Sequence, residues 1–199
     1  NYDLPYLIYA FEEMGKKGIG KRIKGKRGEF VLNSITSSGR TIYTDRERLI
    51  KMPDIEELHY SPKMEDLRTI SIIIETPLRL KSQNRLISAL PFHILVRAML
   101  RRMSSLLICY GNESPDINHT ELLKLAENIK IADSNLRWSE YRRYSNRQKR
   151  AMLIGGIIGS VTYSGELSPF IGLIDFCSKV HIGKQTSFGF GKFRVIKNP

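Results

Sequence analysis

One run of β-branched residues limits the possible folds of this chain more than any other feature. Residues 68–80 read RTISIIIETPLRL, with isoleucine or threonine at six of the eight positions from 69 to 76. β-Branched side chains favour extended backbone, and an apolar run without strict alternation is typical of a strand covered on both faces. The run therefore predicts a central strand of a sheet.

The segments after this strand define the architecture. Apolar residues at helical spacing predict a long helix within residues 88–111. The sequence of residues 118–129 predicts a shorter helix with its own cap. Two strand-like segments surround a basic stretch in 135–165. A helix with Ser168 as N-cap and Pro169 at its first position follows, and GKFRVI reads as a closing strand. Without the short helix the order is βαββαβ, which predicts an α+β, ferredoxin-like fold: an antiparallel sheet with helices on one face.

The residues before this region carry their own signals. Residues 3–14 predict a helix that stops at Gly15, with Asp3 as N-cap. A glycine-rich loop with seven Lys or Arg is expected over 15–28, and EFVLNSI then reads as a strand. The charged segment after it contains prolines, as linkers often do. We therefore predict an incomplete N-terminal domain (1–52), a linker (53–66) and a C-terminal domain (67–199).

An internal repeat relates the two predicted domains. Residues 18–32 align with residues 181–195 without a gap, and each copy follows a helix that opens with proline. This indicates a duplicated unit, so residues 1–52 are expected to be the end of a second ferredoxin-like domain in a longer protein. Otherwise this first part packs on the second domain or on another chain. Five identities at an offset of 163 positions carry the alignment: Ile19, Gly20, Lys21, Gly28 and Phe30.

The charge balance points to a polyanionic partner. With 32 Lys and Arg against 20 Asp and Glu, the formal net charge is +12. Nucleic acid fits this excess best. An anionic membrane fits less well because the cations lie mainly in loops and not on an amphipathic helix, and a basic enzyme without such a partner stays open. Cys109 and Cys177 form neither a disulfide framework nor a zinc motif, so we expect two buried thiols in a reducing cytoplasm.

The second copy of the repeat is the main candidate site. Glycines permit positive φ and close backbone approach, and neighbouring lysines suit a phosphate. The spacing matches neither the P-loop nor the dinucleotide fingerprint, and a turn shaped only by chain geometry remains an alternative. His181 could transfer protons beside such a phosphate or could only hydrogen-bond the loop. The candidate residues of this loop are His181, Gly183, Lys184, Gly189, Gly191 and Lys192.

Two further basic segments are candidates for nucleic-acid contact. Seven cations in residues 15–28 repel one another unless an anion is near, although a solvated charged face is the plain alternative. Residues 137–150 mix Trp138, Tyr141 and Tyr144 with six Lys or Arg, a composition that suits unstacked bases; a core position for Trp138 stays open. Arg79 and Lys81 follow the predicted central strand.

These segments together resemble a known family. TPLRLK, RAMLRRMSSLL, WSEYRRYSNRQ, GGIIGSVTYSG and VHIGKQTSFGFGKF occur in this order between about residues 67 and 196. They resemble the C-terminal domain of CRISPR repeat-processing endoribonucleases of the RAMP superfamily. LPYLIYAFEEMGKKGIG is similar to the end of the N-terminal domain of that family.

The resemblance implies two ferredoxin-like domains and one cut in each repeat of a precursor CRISPR RNA. A ribose 2′-hydroxyl attacks the neighbouring phosphate without metal or cofactor and leaves a 2′,3′-cyclic phosphate. His181 is expected to act as acid or base and Lys184 to stabilise the phosphate. The expected RNA contacts are Lys21, Arg22, Lys24, Arg79, Lys81, Arg142, Arg143, Tyr144, Arg147, Gly183, Gly189, Gly191 and Lys192.

The resemblance also leaves an alternative. Many family members take a catalytic histidine from a part of the N-terminal domain that this sequence does not contain. If that holds here, the chain is a non-catalytic RNA-binding subunit of a CRISPR effector complex. Other CRISPR effector subunits and a second copy of the chain are further expected partners, and no membrane is expected.

Overall fold

The computed structural model describes residues 3–54, 57–63, 65–111, 117–145 and 147–198. The chain divides into two compact units, Asn1–Glu57 and Leu58–Pro199. Leu58 and Tyr60, in the segment predicted as a linker, pack against the core of the larger unit. Residues 55, 56 and 64 of that segment lie outside the described residues.

The smaller unit contains one helix and two β-hairpins. Its strands pair as β1–β2 and β3–β4, both antiparallel. Whether this unit is the end of a ferredoxin-like domain stays a prediction. Its elements are α1 (Leu4–Lys17), β1 (Ile19–Ile23), β2 (Lys26–Gly28), β3 (Ser34–Ser37) and β4 (Arg40–Thr44).

Three local expectations for this unit were wrong. Helix α1 continues past Gly15 to Lys17; Asp3 is its N-cap residue as predicted, although its side chain makes no capping hydrogen bond. The glycine-rich segment is a hairpin, because Lys24 and Gly25 both have positive φ (50° and 83°), as a tight hairpin turn requires. Residues 29–33 belong to no strand, and β3 begins only at Ser34.

The larger unit confirms the βαββαβ order. Strand β5 is central and the sheet runs β10-β5-β9-β8 with every neighbouring pair antiparallel, which is the ferredoxin-like arrangement. A 3-10 turn (Ser168–Phe170) precedes α4, and another (Thr186–Phe188) precedes β10. The elements are β5 (Thr69–Leu78), β6 (Lys81–Ser82), β7 (Arg85–Leu86), α2 (Phe92–Tyr110), α3 (His119–Glu127), β8 (Lys130–Ser145), β9 (Arg150–Ser164), α4 (Ile171–Lys179) and β10 (Phe193–Asn198).

The core lies between the sheet and helices α2 and α4. Ile70, Ile72 and Ile74 are buried at alternate positions of β5, as one face of a strand requires. Tyr163 of β9 is fully buried and its hydroxyl donates to the Leu90 carbonyl at 2.7 Å. Burial raises the pKa of this phenol well above its usual range, so it stays a neutral donor.

Two further expectations needed correction in this unit. Cys177 is buried, and burial raises the pKa of its thiol to about 12, but Cys109 is exposed at the end of α2. Ser168 does not cap a helix; its hydroxyl donates to the Glu166 carboxylate at 2.6 Å within the 3-10 turn. None of the helices in the described ranges combines the length and hydropathy that a bilayer crossing requires.

One part of the sheet extends beyond its neighbours. Strand β5 pairs with β9 as far as Leu78 and Ile157, and farther along only β8 and β9 pair with each other. We call residues 139–145 and 147–156 the β8–β9 arm. The arm lies beside the segment that connects α4 to β10, and this neighbourhood contains the candidate site.

Candidate functional site

The glycine-rich loop, residues 180–192, connects α4 to β10. Its two ends meet where the Ile182 amide donates to the Gly191 carbonyl at 3.1 Å, and Ile182 is fully buried. The side chain thus anchors the beginning of the loop in the core, while the backbone contact closes it. The residues between these two positions include the 3-10 turn Thr186–Phe188.

The loop is fixed to the end of β5 by its backbone. The Lys184 amide donates to the Arg79 carbonyl at 2.9 Å, and the Gly191 amide to the Pro77 carbonyl at 3.0 Å. The Lys192 amide donates to the Thr76 hydroxyl at 2.8 Å. These three amides serve the docking of the loop, so they do not contribute to an anion nest.

Close packing explains two of the glycines. A Cβ at Gly191 would lie 1.8 Å from the Ile182 carbonyl oxygen, and one at Gly183 would lie 2.9 Å from the Arg79 carbonyl oxygen. Both residues also have φ values, 81° and 85°, that other residues rarely adopt. Gly189 differs, because a Cβ there would meet nothing within 4 Å. It lies at the open tip of the loop, and RNA contact by any of the three glycines stays a prediction.

His181 is held in one tautomer by the loop. Its Nδ1 atom lies 3.0 Å from the Phe190 carbonyl oxygen. A carbonyl can only accept a hydrogen bond, so Nδ1 carries the proton and Nε2 of the neutral ring has a free lone pair. The partly buried imidazole therefore has one nitrogen that can take up a proton.

The two lysines of the loop have different surroundings. Lys184 is exposed, and its ammonium group has no ion pair with any residue in the described ranges. The Lys192 ammonium group lies 3.0 Å from Oε2 of Glu75, and Oε1 of the same carboxylate lies 3.3 Å from Nε of Arg194. Lys184 is thus the loop cation that is open to a phosphate, whereas Lys192 is already partly neutralised. Glu75 was not anticipated from the sequence.

The arm contacts the loop through alternate residues of β8. The rings of Tyr141 and Phe190 are 6.3 Å apart in an edge-on arrangement, and the Arg143 guanidinium lies 4.0 Å above the Phe188 ring. Residues two apart in a strand share a face, so one face of the arm carries both contacts. Arg79 joins the arm as well, since its guanidinium donates to the Gly155 carbonyl at 2.7 Å.

The remaining candidates lie outside this group. Arg142 and Tyr144 alternate with Arg143 along β8 and so point to the opposite face of the arm. Trp138 is 37% exposed and donates to Glu140 at 3.4 Å, which places its indole outside the core. The other candidates are all exposed: Arg147 in the turn of the arm, Lys81 on β6, and Lys21, Arg22 and Lys24 on the β1–β2 hairpin of the smaller unit.

The sequence arguments missed Phe188 and Phe190. Both ring systems link the loop to the arm, and Phe190 also carries the carbonyl that orients His181. The alternation of phenylalanine with glycine in SFGFGKF was the available signal, since aromatics at every second position indicate one packed face. Within the described ranges, no group of three or more His, Cys, Asp and Glu side chains is placed to hold a metal ion.

Comparisons with known proteins agree with this arrangement. The family model of the CRISPR-associated endoribonuclease Cas6 matches residues 72–193, which include most of β5, the arm and the loop. A search of curated proteins finds no significant match.

Solved structures share the fold. Cas6 from Thermus thermophilus has a TM-score of 0.52 at 14% identity, over 67% of this chain and 55% of that chain. A Cas6 product complex has a TM-score of 0.51 at 14% identity, over 67% and 53%. This chain therefore spans about half the length of the solved structures it matches. At this identity the likeness concerns the fold alone, whereas the family model covers more than half of this chain: the chain belongs to the CRISPR-associated endoribonuclease Cas6 family.

Proposed function

We propose that this chain cuts the repeat of a precursor CRISPR RNA by attack of a ribose 2′-hydroxyl on the adjacent phosphate. The observation that carries the proposal is the orientation of His181 on a loop that also bears Lys184. His181 offers an unprotonated Nε2, because its Nδ1 proton is donated to the Phe190 carbonyl, and the exposed Lys184 follows three positions later in the sequence. Family membership supplies the substrate class.

The chemistry follows from these two groups. Nε2 of His181 takes the proton of the 2′-hydroxyl as the new bond from O2′ to phosphorus forms. The bond from phosphorus to O5′ breaks, and O5′ takes a proton from water. Lys184 stabilises the additional negative charge on the phosphoryl oxygens in the transition state. The products are a 2′,3′-cyclic phosphate and a 5′-hydroxyl.

The remaining candidate cations bind the substrate in this proposal. Arg79 and Arg143 adjoin the loop, while Lys81, Arg142 and Arg147 extend the basic surface of the larger unit. Lys21, Arg22 and Lys24 add a basic hairpin on the smaller unit. Several neutralised phosphates would make affinity fall steeply with salt concentration.

The test is cleavage of a repeat RNA by the full chain in EDTA. We expect one product with a cyclic phosphate, and a 2′-deoxy substitution at the cut should stop cleavage while binding persists. His181→Ala should slow cleavage by about 100-fold, as expected for loss of a general base. His119→Ala is the matched control, because His119 is an exposed histidine at the start of α3. An unchanged rate for His181→Ala would refute the catalytic assignment.

A non-catalytic RNA-binding subunit is the second candidate. It is favoured by the contact of His181 with the Phe190 carbonyl, because a histidine that only holds the loop in place would leave the basic surface to bind RNA without cutting it. The same assay separates the two functions, because this candidate predicts salt-dependent binding of the repeat without any cut. Association with other CRISPR effector subunits, or between two copies of the chain, stays a prediction.

A further inference from the structure

We infer that Phe188 is a stacking site for an unpaired RNA base, placed beside the phosphate-binding part of the loop. The inference rests on the proposed function for the ligand class, RNA. Phe188 has no role in the proton transfer or the charge stabilisation proposed above. A stacking site at Phe188 would make this part of the loop prefer single-stranded over double-stranded RNA.

The exposure of Phe188 is the first observation. A large apolar side chain is usually covered, yet Phe188 is 49% exposed at the end of a 3-10 turn, whereas Phe190 two residues later is 7% exposed. Phe190 is the ring that packs against the arm through Tyr141. The fold therefore packs the Phe190 ring and leaves the Phe188 side chain about half exposed.

The orientation of the ring is the second observation. The Arg143 guanidinium lies 4.0 Å from the ring centroid and so covers one face. A cation over one face is a favourable contact for the ring, and the exposed half of the Phe188 side chain remains for another flat group. A nucleobase is such a group, and stacking on an aromatic side chain accepts any base because each has a π-face.

The surroundings of the ring fit a nucleotide. Gly189, the next residue, adjoins open space, since a Cβ there would meet nothing within 4 Å. Arg143 is exposed and its charge can also meet a phosphate, and the exposed Lys184 is on the same loop as Phe188. A base on Phe188 would thus have cations near for its phosphates. A base in the interior of a duplex is already stacked on both sides and cannot occupy this position.

Tyr144 does not belong to the stacking site at Phe188. It was predicted to stack a base from the sequence, but it lies on the face of β8 opposite to Arg143. Phe188 and Tyr144 consequently cannot sandwich one base between them. On the side of the arm that faces the loop, Phe188 is therefore the ring on which a base stacks.

The experiment uses the full chain and a ten-nucleotide RNA of alternating uridine and 2-aminopurine. The fluorescence of 2-aminopurine falls when the base stacks on a ring, so titration reports both affinity and stacking. We expect Phe188→Leu to remove most of this quenching and to weaken binding by about 10-fold. Phe188→Tyr should retain both. The matched control is Phe11→Leu, because Phe11 is also a phenylalanine with 49% exposure, and it should behave as wild type.

A structural role for Phe188 gives different results. If the side chain only holds Arg143 or the loop in place, Phe188→Leu would weaken binding of blunt duplex RNA as much as that of the single strand. That outcome, or unchanged quenching in Phe188→Leu, would overturn the inference. Thermal unfolding of Phe188→Leu checks the fold, and we expect an unchanged midpoint because the ring is half exposed.

The inference and the proposed function fail separately. If wild type cuts the repeat RNA and Phe188→Leu quenches 2-aminopurine as wild type does, only the stacking site is wrong. If wild type quenches 2-aminopurine through Phe188 but never cuts, only the catalytic proposal is wrong. Absence of any RNA binding by wild type would contradict both.

Discussion

The β1–β2 hairpin of the smaller unit and the glycine-rich loop of the larger unit begin and end alike but differ in between. Ile19 pairs with Gly28 across the hairpin, and Ile182 donates to Gly191 across the loop. These two pairs occupy equivalent positions of the internal repeat, and each encloses eight residues. The shared isoleucine and glycine positions thus correspond to a shared backbone closure.

The residues between the closing pairs follow different paths because their surroundings differ. Every residue of β1 and β2 is exposed, and the hairpin turns at Lys24 and Gly25 with its own backbone pairing. The loop instead donates amides to the end of β5 and turns through Gln185 and Gly189, both left-handed. The carbonyl groups at the end of β5 accept hydrogen bonds from the loop and so replace the pairing that the hairpin makes with itself.

The comparison also separates two kinds of basic surface. The hairpin has cations at Lys21, Arg22 and Lys24 and no acidic residue between positions 15 and 28, which suits contact with the phosphate backbone. The loop has fewer cations, but it adds the oriented His181 and the unpaired Lys184. Binding charge is therefore expected in both regions and chemistry in the loop alone.

The largest expected difference is between alanine substitutions at the closing glycines. Gly191→Ala should lower the free energy of unfolding by about 4 kcal/mol, since it combines a left-handed φ with overlap on the Ile182 carbonyl. Gly28→Ala should change it by less than about 0.5 kcal/mol, because the nearest atom is 3.5 Å away and φ is not positive. Urea denaturation followed by circular dichroism measures both. Equal losses would mean that the two closures are built alike after all.

The second expected difference concerns the equivalent lysines. Lys184→Gln should slow cleavage of repeat RNA by about 100-fold, as loss of one group that stabilises transition-state charge does. Lys21→Gln should leave the rate at saturating RNA near that of wild type and reduce the slope of log affinity against log salt by about one. Single-turnover cleavage and binding titrations at several salt concentrations give the two quantities. A similar rate loss for Lys21→Gln would place the hairpin in the chemistry.

The smallest expected difference isolates close packing from backbone strain. Gly20 and Gly183 have nearly the same φ, 82° and 85°, but only a Cβ at Gly183 would meet neighbours within 4 Å. Gly20→Ala should therefore cost about 1 to 2 kcal/mol from φ alone. Gly183→Ala should cost roughly 1 kcal/mol more, because the Arg79 carbonyl must shift. Hydrogen exchange of amides in each unit measures the loss of stability in both variants. A larger loss for Gly20→Ala than for Gly183→Ala would show that backbone strain outweighs close contact.

The sequence predicted elements better than it predicted their contacts. The β-branched run of β5 and the helical spacing of α2 were sufficient for the ferredoxin-like order, since each signal depends on neighbours along the chain. The β1–β2 hairpin was missed because glycine and lysine were taken as loop markers, although Lys24–Gly25 is also a suitable tight turn. The exposed position of Cys109 was missed because an apolar neighbourhood in sequence does not say which side of a helix faces solvent.

For the candidate site, the sequence identified the residue types but not their surroundings. It marked His181 and Lys184 through the glycines beside them. It gave no sign that Glu75 neutralises Lys192, because these residues are far apart in the chain and meet only through the pairing of β5 with β10. It also could not divide Phe188 and Phe190 into an exposed ring and a packed ring.

By itself the sequence determined the order of strands and helices, the excess of positive charge and the repeated isoleucine and glycine positions, because periodicity and composition act locally. Only the tertiary structure decided which His181 nitrogen carries the proton, which loop lysine forms an ion pair with Glu75 and which of the two rings, Phe188 or Phe190, stays exposed. Each of these depends on a hydrogen bond, ion pair or packing contact with a residue that is brought near by folding.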